Sequence, residues 1–269
     1  MYKFFIIIGF LLAVWAFFIE PYLLAVTTLN LENKDLKGLK VVFVGDFHVK
    51  PSQRKNLIRI VNKINEQNTD LVLCTGDFVS GHKNNRTLPI EEISKELSKI
   101  KSKYGIYTVL GNHDWWQGGE KIGNELEKNG IVVLANESAS VNFNGKKLYI
   151  AGLDDLSTRT VDIAKALDKT EAPTILLTHS PDIFPFISKQ ENFPLTDKVV
   201  LTLAGHTHGG QVRIPLIGAT IVPTDYGERY AKGLVVENGK NMFVTKGLGT
   251  SILPVRFNCL PEIVVINFI

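Results

Sequence analysis

Asp46, His48, Asp77, Asn112, His179, His206 and His208 are seven oxygen and nitrogen donors, and each follows closely on an apolar run. Brought to one place, four imidazoles, two carboxylates and a carboxamide hold two divalent metal ions. Asp46 and His48 are separated by one residue, as are His206 and His208, so a turning backbone aims both members of a pair into one pocket. Two ions about 3.5 to 4 Å apart clamp the oxygens of an in-line displacement and lower the pKa of a shared water. Asp77 is the natural bridge, because a carboxylate presents one oxygen to each ion. The mixed donor set excludes an all-sulfur site and leaves manganese, iron, zinc or cobalt open; magnesium suits so many histidines less well.

Taken singly, each cluster has a plainer reading. A Gly-Asp pair after a strand is common turn chemistry, Asn112 alone caps a helix, one buried histidine is usually hydrogen-bonded, and His206-Thr207-His208 alone is a surface coincidence. Joint placement argues otherwise. Five of the six histidines, His113 among them, sit just past the ends of apolar runs, and only His82 lies elsewhere. Gathering such groups in one crevice without compensation costs on the order of several kcal/mol.

The elements that must position these residues are readable. Residues 41–44 form a short β-branched and aromatic run ending at Gly45, which predicts a buried strand. Leu57, Ile58, Val61 and Ile64 recur at helical spacing, and residues 71–75 follow as a second strand, so this unit is β-α-β with parallel strands. A helix over Ile93, Leu97 and Ile100, a strand at 106–110, a helix at 120–128 and a strand at 131–134 continue the alternation. Further strands are expected at 174–178, 199–204 and 263–268, and Asn144-Gly145 and Asn238-Gly239 suit tight hairpins. The expected fold is α/β, a four-layer α-β-β-α sandwich of two mixed sheets flanked by helices, preceded by a hydrophobic N-terminal anchor helix. In open α/β sheets the carboxyl ends of the strands form the ligand crevice, which is where the seven donors fall.

Residues 4–19 are apolar throughout except Gly9, and 22–26 extend the run past Glu20-Pro21. A bilayer core of about 30 Å takes roughly 20 helical residues. Glu20-Pro21-Tyr22 is a poor cleavage site, so the expectation is an uncleaved anchor over 1–29, a polar linker over 30–37 and one domain over 38–269; the alternative is a buried amino-terminal helix. Lys3 and the amino terminus put the amino end in the cytoplasm and the domain outside it.

Composition narrows the rest. With 45% hydrophobic and 21% charged residues in 269, neither disorder nor a polytopic membrane protein fits. Thirty basic against 27 acidic residues give a net charge of +3 without a basic run, so no stable nucleic-acid binding is expected. Cys74 and Cys259 lie far apart in apolar segments and read as buried thiols.

Gly45-Asp46-Phe47-His48, Gly76-Asp77, Gly111-Asn112-His113-Asp114, Thr178-His179 and Gly205-His206-Thr207-His208 occur in an order that resembles the calcineurin-like metallophosphoesterase superfamily. Lys246-Gly247-Leu248-Gly249, Pro254-Val255-Arg256 and Pro261-Glu262-Ile263 are similar to its membrane-associated bacterial branch. The resemblance implies one ion on Asp46, His48, Asp77 and His208 and a second on Asp77, Asn112, His179 and His206. It implies His113 beside the transferred phosphoryl group, oriented by Asp114. The implied reaction is hydrolysis of a phosphodiester or pyrophosphate by a hydroxide held between the ions, with His113 protonating the leaving oxygen.

Substrate contacts rest on less. Arg213, Arg229 and Lys232 are candidate phosphate binders, with surface solvation as the plain reading of each, and Asp154 either borders the pocket or closes a turn. Ile183, Phe184, Phe186 and Ile187 either flank a lipid entrance or pack a short helix. The expected partners are the bilayer of a bacterial inner or plasma membrane and a small phosphate ester, lipid-linked or nucleotide-linked. The resemblance admits UDP-2,3-diacylglucosamine, in lipid A synthesis, which requires a cytoplasm-facing pocket. A phosphomonoesterase or phosphoprotein phosphatase is the enzymatic alternative, and a metal-stabilised membrane scaffold without turnover the non-enzymatic one.

Overall fold

In the computed structural model, which describes residues 2–81, 87–171 and 173–269, helix α1 (Tyr2–Val14) continues through further turns to Tyr22. Tyr2–Tyr22 is long and apolar enough to cross a membrane. Of this segment only Ala16, Glu20 and Pro21 are buried.

Strands β1 (Ala25–Leu31), β2 (Lys40–Val44), β3 (Leu71–Cys74), β4 (Ile106–Thr108) and β5 (Ile131–Val133) belong to one sheet. The second sheet takes β6 (Glu137–Phe143), β7 (Lys146–Gly152), β8 (Thr174–Thr178) and β9 (Val199–Ala204). After β9 the second sheet is interrupted in sequence by a small hairpin of β10 (Arg213–Ile214) and β11 (Gly218–Ala219). Then β12 (Gly233–Glu237) and β13 (Lys240–Val244) complete the second sheet, and β14 (Glu262–Phe268) returns to the first. The orders are β1-β14-β2-β3-β4-β5 and β12-β13-β9-β8-β7-β6. β2 to β5 run parallel, as do β7, β8, β9 and β13, so each sheet carries its strand ends in register at one edge.

Alternation along the strands makes the layers. Val41, Phe43, Leu71 and Leu73 meet Ile150, Ile175, Leu177 and Leu203 between the sheets. Val42, Val44 and Val72 face outward onto α2 (Arg54–Asn65), α3 (Ile90–Leu97) and α5 (Gly119–Lys128), which present Leu57, Val61, Ile93 and Leu126. A single turn of helix, α4 (Asn112–Trp116), lies just ahead of α5. On the far side Ala151, Leu176 and Met242 meet α6 (Ile163–Leu167) and α7 (Phe184–Ser188). Sheets covered on both faces explain why these strands are continuous apolar runs. Phe184 and Ile187 are fully buried in that outer layer, as a packed helix requires, while Ile183 is half-buried and Phe186 stays exposed.

Both Asn-Gly pairs close hairpins as expected. Asn144 and Gly145 have φ of 51° and 81°, Asn238 and Gly239 48° and 81°, the left-handed pair that matches strand twist. Strand β1 differs from the sequence expectation, for it overlaps both the stretch assigned to the anchor and the stretch assigned to the linker. Its burial alternates between exposed and half-buried, and its parallel partner β14 lies at the other end of the chain. Nothing local therefore marks it as a strand.

Candidate metal centre

The backbone at the strand ends is bent where the donors sit. Asp46, His48, Asp77, His206 and His208 have φ of 52°, 42°, 54°, 70° and 52°. Side chains rarely adopt this left-handed region, and such strain persists where surrounding structure imposes it, commonly at functional sites. Gly76 (φ 84°) allows the first of these turns to pass close to its neighbour, since a Cβ there would collide with the Gly111 amide.

Asp46, His48, Asp77, Asn112, His113, Asp114, His179 and His208 are buried, and His206 is half-buried. His48 Nε2 and His208 Nε2 face each other at 3.0 Å, and both can share a group with Asp46 that is able to hold a metal ion. His179 Nε2 lies 2.9 Å from Asn112 Oδ1 and 3.0 Å from His206 Nδ1. Asp77 stands between the two sets: its Oδ2 is 3.3 Å from His48 Nε2 and 3.4 Å from His179 Nε2. Its Oδ1 accepts the His113 backbone N–H at 2.9 Å. Asp46 accepts the His206 amide at 2.9 Å. His82 lies outside the described residues.

These residues fit a pair of divalent cations on their own chemistry. His179 Nδ1 faces the Thr75 carbonyl at 2.7 Å; a carbonyl only accepts, so Nδ1 carries a hydrogen and Nε2 is turned toward the cluster. Burial holds His48 down to about 3, His206 to about 4 and His208 well below its ordinary value. These rings are therefore neutral, the form that ligates a metal. At Asp77 burial acts upward but is outweighed by His179 and His48, which hold the carboxyl well below the usual carboxylate range. At His179 burial acts downward and the Asp77 carboxylate upward, with the carboxylate prevailing; the same negative charge would favour a cation at Nε2 once the ring is neutral. Among the described residues, His48 Nδ1 and His208 Nδ1 are buried without a hydrogen-bond partner.

His113 borders this cluster, its ring 4.6 Å from that of His48 and 4.7 Å from that of Trp116. Its Nδ1 donates to the Gly81 carbonyl at 3.0 Å, and Nε2 lies 3.5 Å from Ser251 Oγ. Asp114 departs from the expected role of orienting that ring. Its two oxygens accept the backbone N–H groups of Asp77, Phe78, Val79 and Gly111, at 2.7 to 3.2 Å. The carboxylate thus braces the loop that carries Asp77, and the Gly81 carbonyl orients His113.

The four candidate substrate contacts stand apart; among the described residues none bonds to the seven donors. Arg213 donates to the Gly209 carbonyl and pairs with Glu228 at 2.9 Å. Arg229 pairs with Glu237 at 2.7 Å, and Asp154 accepts from Asn136 at 2.9 Å. Lys232 lines a separate cavity of about 500 Å³ with Trp15, Pro215 and Lys246. In this structure each arginine is paired with a carboxylate, Arg213 with Glu228 and Arg229 with Glu237.

Arg256 is the residue whose role the sequence leaves unexplained. Fully buried, it donates to the carbonyls of Lys246, Gly247, Gly249 and Cys259 at 2.6 to 3.2 Å. Glu262 secures the same loop by accepting the Lys246 amide at 2.8 Å and its ammonium at 3.0 Å. That loop backs the site, since a Cβ at Gly247 would press on Asp46. Lys246 to Gly249, Pro254 to Arg256 and Pro261 to Ile263 are therefore one assembly behind the first strand end.

The family model for the calcineurin-like phosphoesterase domain matches residues 39–210. Uncharacterized metallophosphoesterase YkuE of Bacillus subtilis (strain 168) is 30% identical over 264 residues, 93% of this chain and 87% of its own length. An uncharacterized metallophosphoesterase of Aquifex aeolicus (strain VF5) is 31% identical, with 93% of each chain covered. Phosphodiesterase YaeI of Escherichia coli (strain K12) is 30% identical over 86% of this chain and 82% of its own.

Proposed function

The chain belongs to the calcineurin-like phosphoesterase family, and from that premise we propose that it hydrolyses a phosphodiester or pyrophosphate bond with two divalent ions held at the strand ends. It is a metal-dependent phosphoesterase. In this reading Asp46, His48, Asp77 and His208 would hold one ion, and Asp77, Asn112, His179 and His206 the other. Manganese, iron, zinc or cobalt suits the imidazole-rich set. When bound, such a pair polarises the phosphoryl oxygens and activates water for in-line attack.

The chain's own residues supply the rest. Asp77 keeps its negative charge between two imidazole sets and so joins the two ligand groups. His113, with Nδ1 bound to the Gly81 carbonyl, would carry a proton to the leaving oxygen on Nε2. Ser251 Oγ, 3.5 Å from that nitrogen, borders the place where the leaving group departs. Asp114 keeps the Asp77 loop from relaxing as charge builds up.

One observation carries the reading: a single carboxylate oxygen of Asp77 lies within 3.4 Å of an imidazole from each set. Support for a lipid-linked rather than a freely soluble ester comes from the apolar segment Tyr2–Tyr22. The charge at the amino end favours a single anchor in the inner or plasma membrane with the domain outside the cytoplasm, which favours a lipid-linked ester over UDP-2,3-diacylglucosamine or another nucleotide-linked one. The test is turnover of full-length protein in detergent on bis-p-nitrophenyl phosphate, p-nitrophenyl phosphate and a lipid pyrophosphate, with manganese, zinc or magnesium. Metal content is read on the same samples. Diester or pyrophosphate turnover with two ions per chain is expected, and Asp77→Asn should lose both. Turnover confined to the monoester, or one ion at saturation, overturns it.

A further inference from the structure

We infer that the hairpin tip at 215–217 and the loop at 252–253 form, with the domain end of the apolar helix, one face that seats in the headgroup layer of a phospholipid bilayer. The inference rests on the phosphoesterase reading above for its functional meaning, though not for its geometry.

Leu216, Ile217, Ile252 and Leu253 are 108%, 73%, 94% and 57% exposed. Apolar tips so fully in water mark an interaction surface. Leu216 and Ile252 also hold φ of 69° and 59°, a left-handed conformation unfavourable for leucine and worse for a β-branched side chain.

Named contacts join the two tips to the helix end. The Gln211 side chain donates to the carbonyls of Ser251 and Leu253 at 3.1 Å and accepts the Ser251 amide at 2.8 Å. The Arg213 amide donates to the Phe257 carbonyl at 2.8 Å, which fixes β10 against the segment following Leu253. That segment is tied to the helix in turn: Arg256 N–H donates to the Ala16 carbonyl at 2.9 Å, and Cys259 N–H to Glu20 Oε1 at 2.6 Å. Trp15 Nε1 donates to the other oxygen of Glu20, also at 2.6 Å. Pro215 and Trp15 line the same cavity, with Lys232 and Lys246 beside them.

Continuity decides the occupant. Pro215, beside one tip, shares a cavity with Trp15, and the segment after the other tip is bonded to Ala16 and Glu20, in the last two turns of an apolar span of twenty-one residues. Tryptophan and tyrosine at such an end mark the membrane interface, and Lys232 there complements lipid phosphates. A protein partner would have to share this face with the bilayer surrounding the helix. The consequence for the site is direct: Ile252 follows Ser251, whose hydroxyl is 3.5 Å from His113 Nε2. The mouth of the catalytic cluster therefore opens at the lipid headgroups, and the phosphoester it takes is one borne by a lipid.

The test places an environment-sensitive fluorophore on the full chain in phosphatidylglycerol/phosphatidylcholine nanodiscs at Leu216→Cys, Ile252→Cys or, as a control, Lys147→Cys. Lys147 lies at the hairpin end of β7, away from the strand ends that carry the donors, and the two native cysteines are buried. Quenching by doxyl-labelled lipid at 216 and 252, with quenching by aqueous iodide at 147, is expected. Iodide quenching at all three positions overturns the inference. So does shielding from both quenchers that disappears when each disc holds one chain, since a second copy would then cover the face. Bis-p-nitrophenyl phosphate turnover on the same discs separates the two readings: lipid quenching without turnover sinks the phosphoesterase assignment alone, and turnover without lipid quenching sinks the bilayer face alone.

Discussion

The backbone N–H of Asp77 donates to Asp114 Oδ2 at 2.7 Å, and the amides of Phe78, Val79 and Gly111 share the same carboxylate. One buried side chain thus fixes the loop that carries Asp77 to the start of the helix that carries Asn112 and His113.

Asp114→Asn puts an NH2 group against amide donors. Hydrogen bonds to charged groups contribute about 1.5 to 3 kcal/mol, so the variant should unfold about 2 kcal/mol more easily. Metal affinity should fall about 10- to 100-fold, as for other residues that orient ligands. Urea unfolding and metal titration measure both. A variant that keeps its metal and stability but loses rate as severely as His113→Ala would instead return Asp114 to the imidazole.

His113→Ala should lower kcat by about 10²- to 10⁴-fold, the range of a general acid, while both ions remain bound. Steady-state kinetics with metal analysis on the same preparation distinguishes the outcomes. Metal loss as severe as the loss of rate would make His113 a ligand.

Arg256→Met strands the carbonyls of Lys246, Gly249 and Cys259, while that of Gly247 keeps the Glu262 amide. With each unsatisfied group costing about 1 to 3 kcal/mol, a loss of about 3 kcal/mol or more is expected, together with weaker metal binding through the loop behind Asp46. Thermal unfolding of detergent-solubilised protein provides the readout, and a change below about 1 kcal/mol would deny Arg256 its structural role.

Burial pushes the Cys74 thiol from 9.0 up to about 12. Because the folded value is the higher one, the unfolded chain releases its proton first as pH rises. Stability is complete below pH 9 and declines from there toward 12. Urea midpoints at pH 8 and pH 10 should differ, and Cys74→Ala should narrow the gap. Iodoacetamide at pH 8 should modify Cys74 only after unfolding.

The sequence by itself determined what is local. Apolar runs of four to seven residues placed the core strands, helical spacing placed Leu57, Val61 and Ile64 on one face, and both Asn-Gly pairs fixed their hairpins because turn geometry is set by the residues in the turn. The donors were legible too, since each follows a strand and strand ends share an edge of the sheet. Tertiary structure decided everything that depends on residues brought from far along the chain. Strand β1 exists because β14 offers it an edge more than 230 residues away. Asp114 faces amides rather than His113, and Arg213 and Arg229 are held by glutamates, because a side chain's partner is set by what the fold places beside it. No periodicity encodes that Ile252, Leu216 and Trp15 share a side. Their common face follows from how three separate segments pack, which is a property of the assembled molecule.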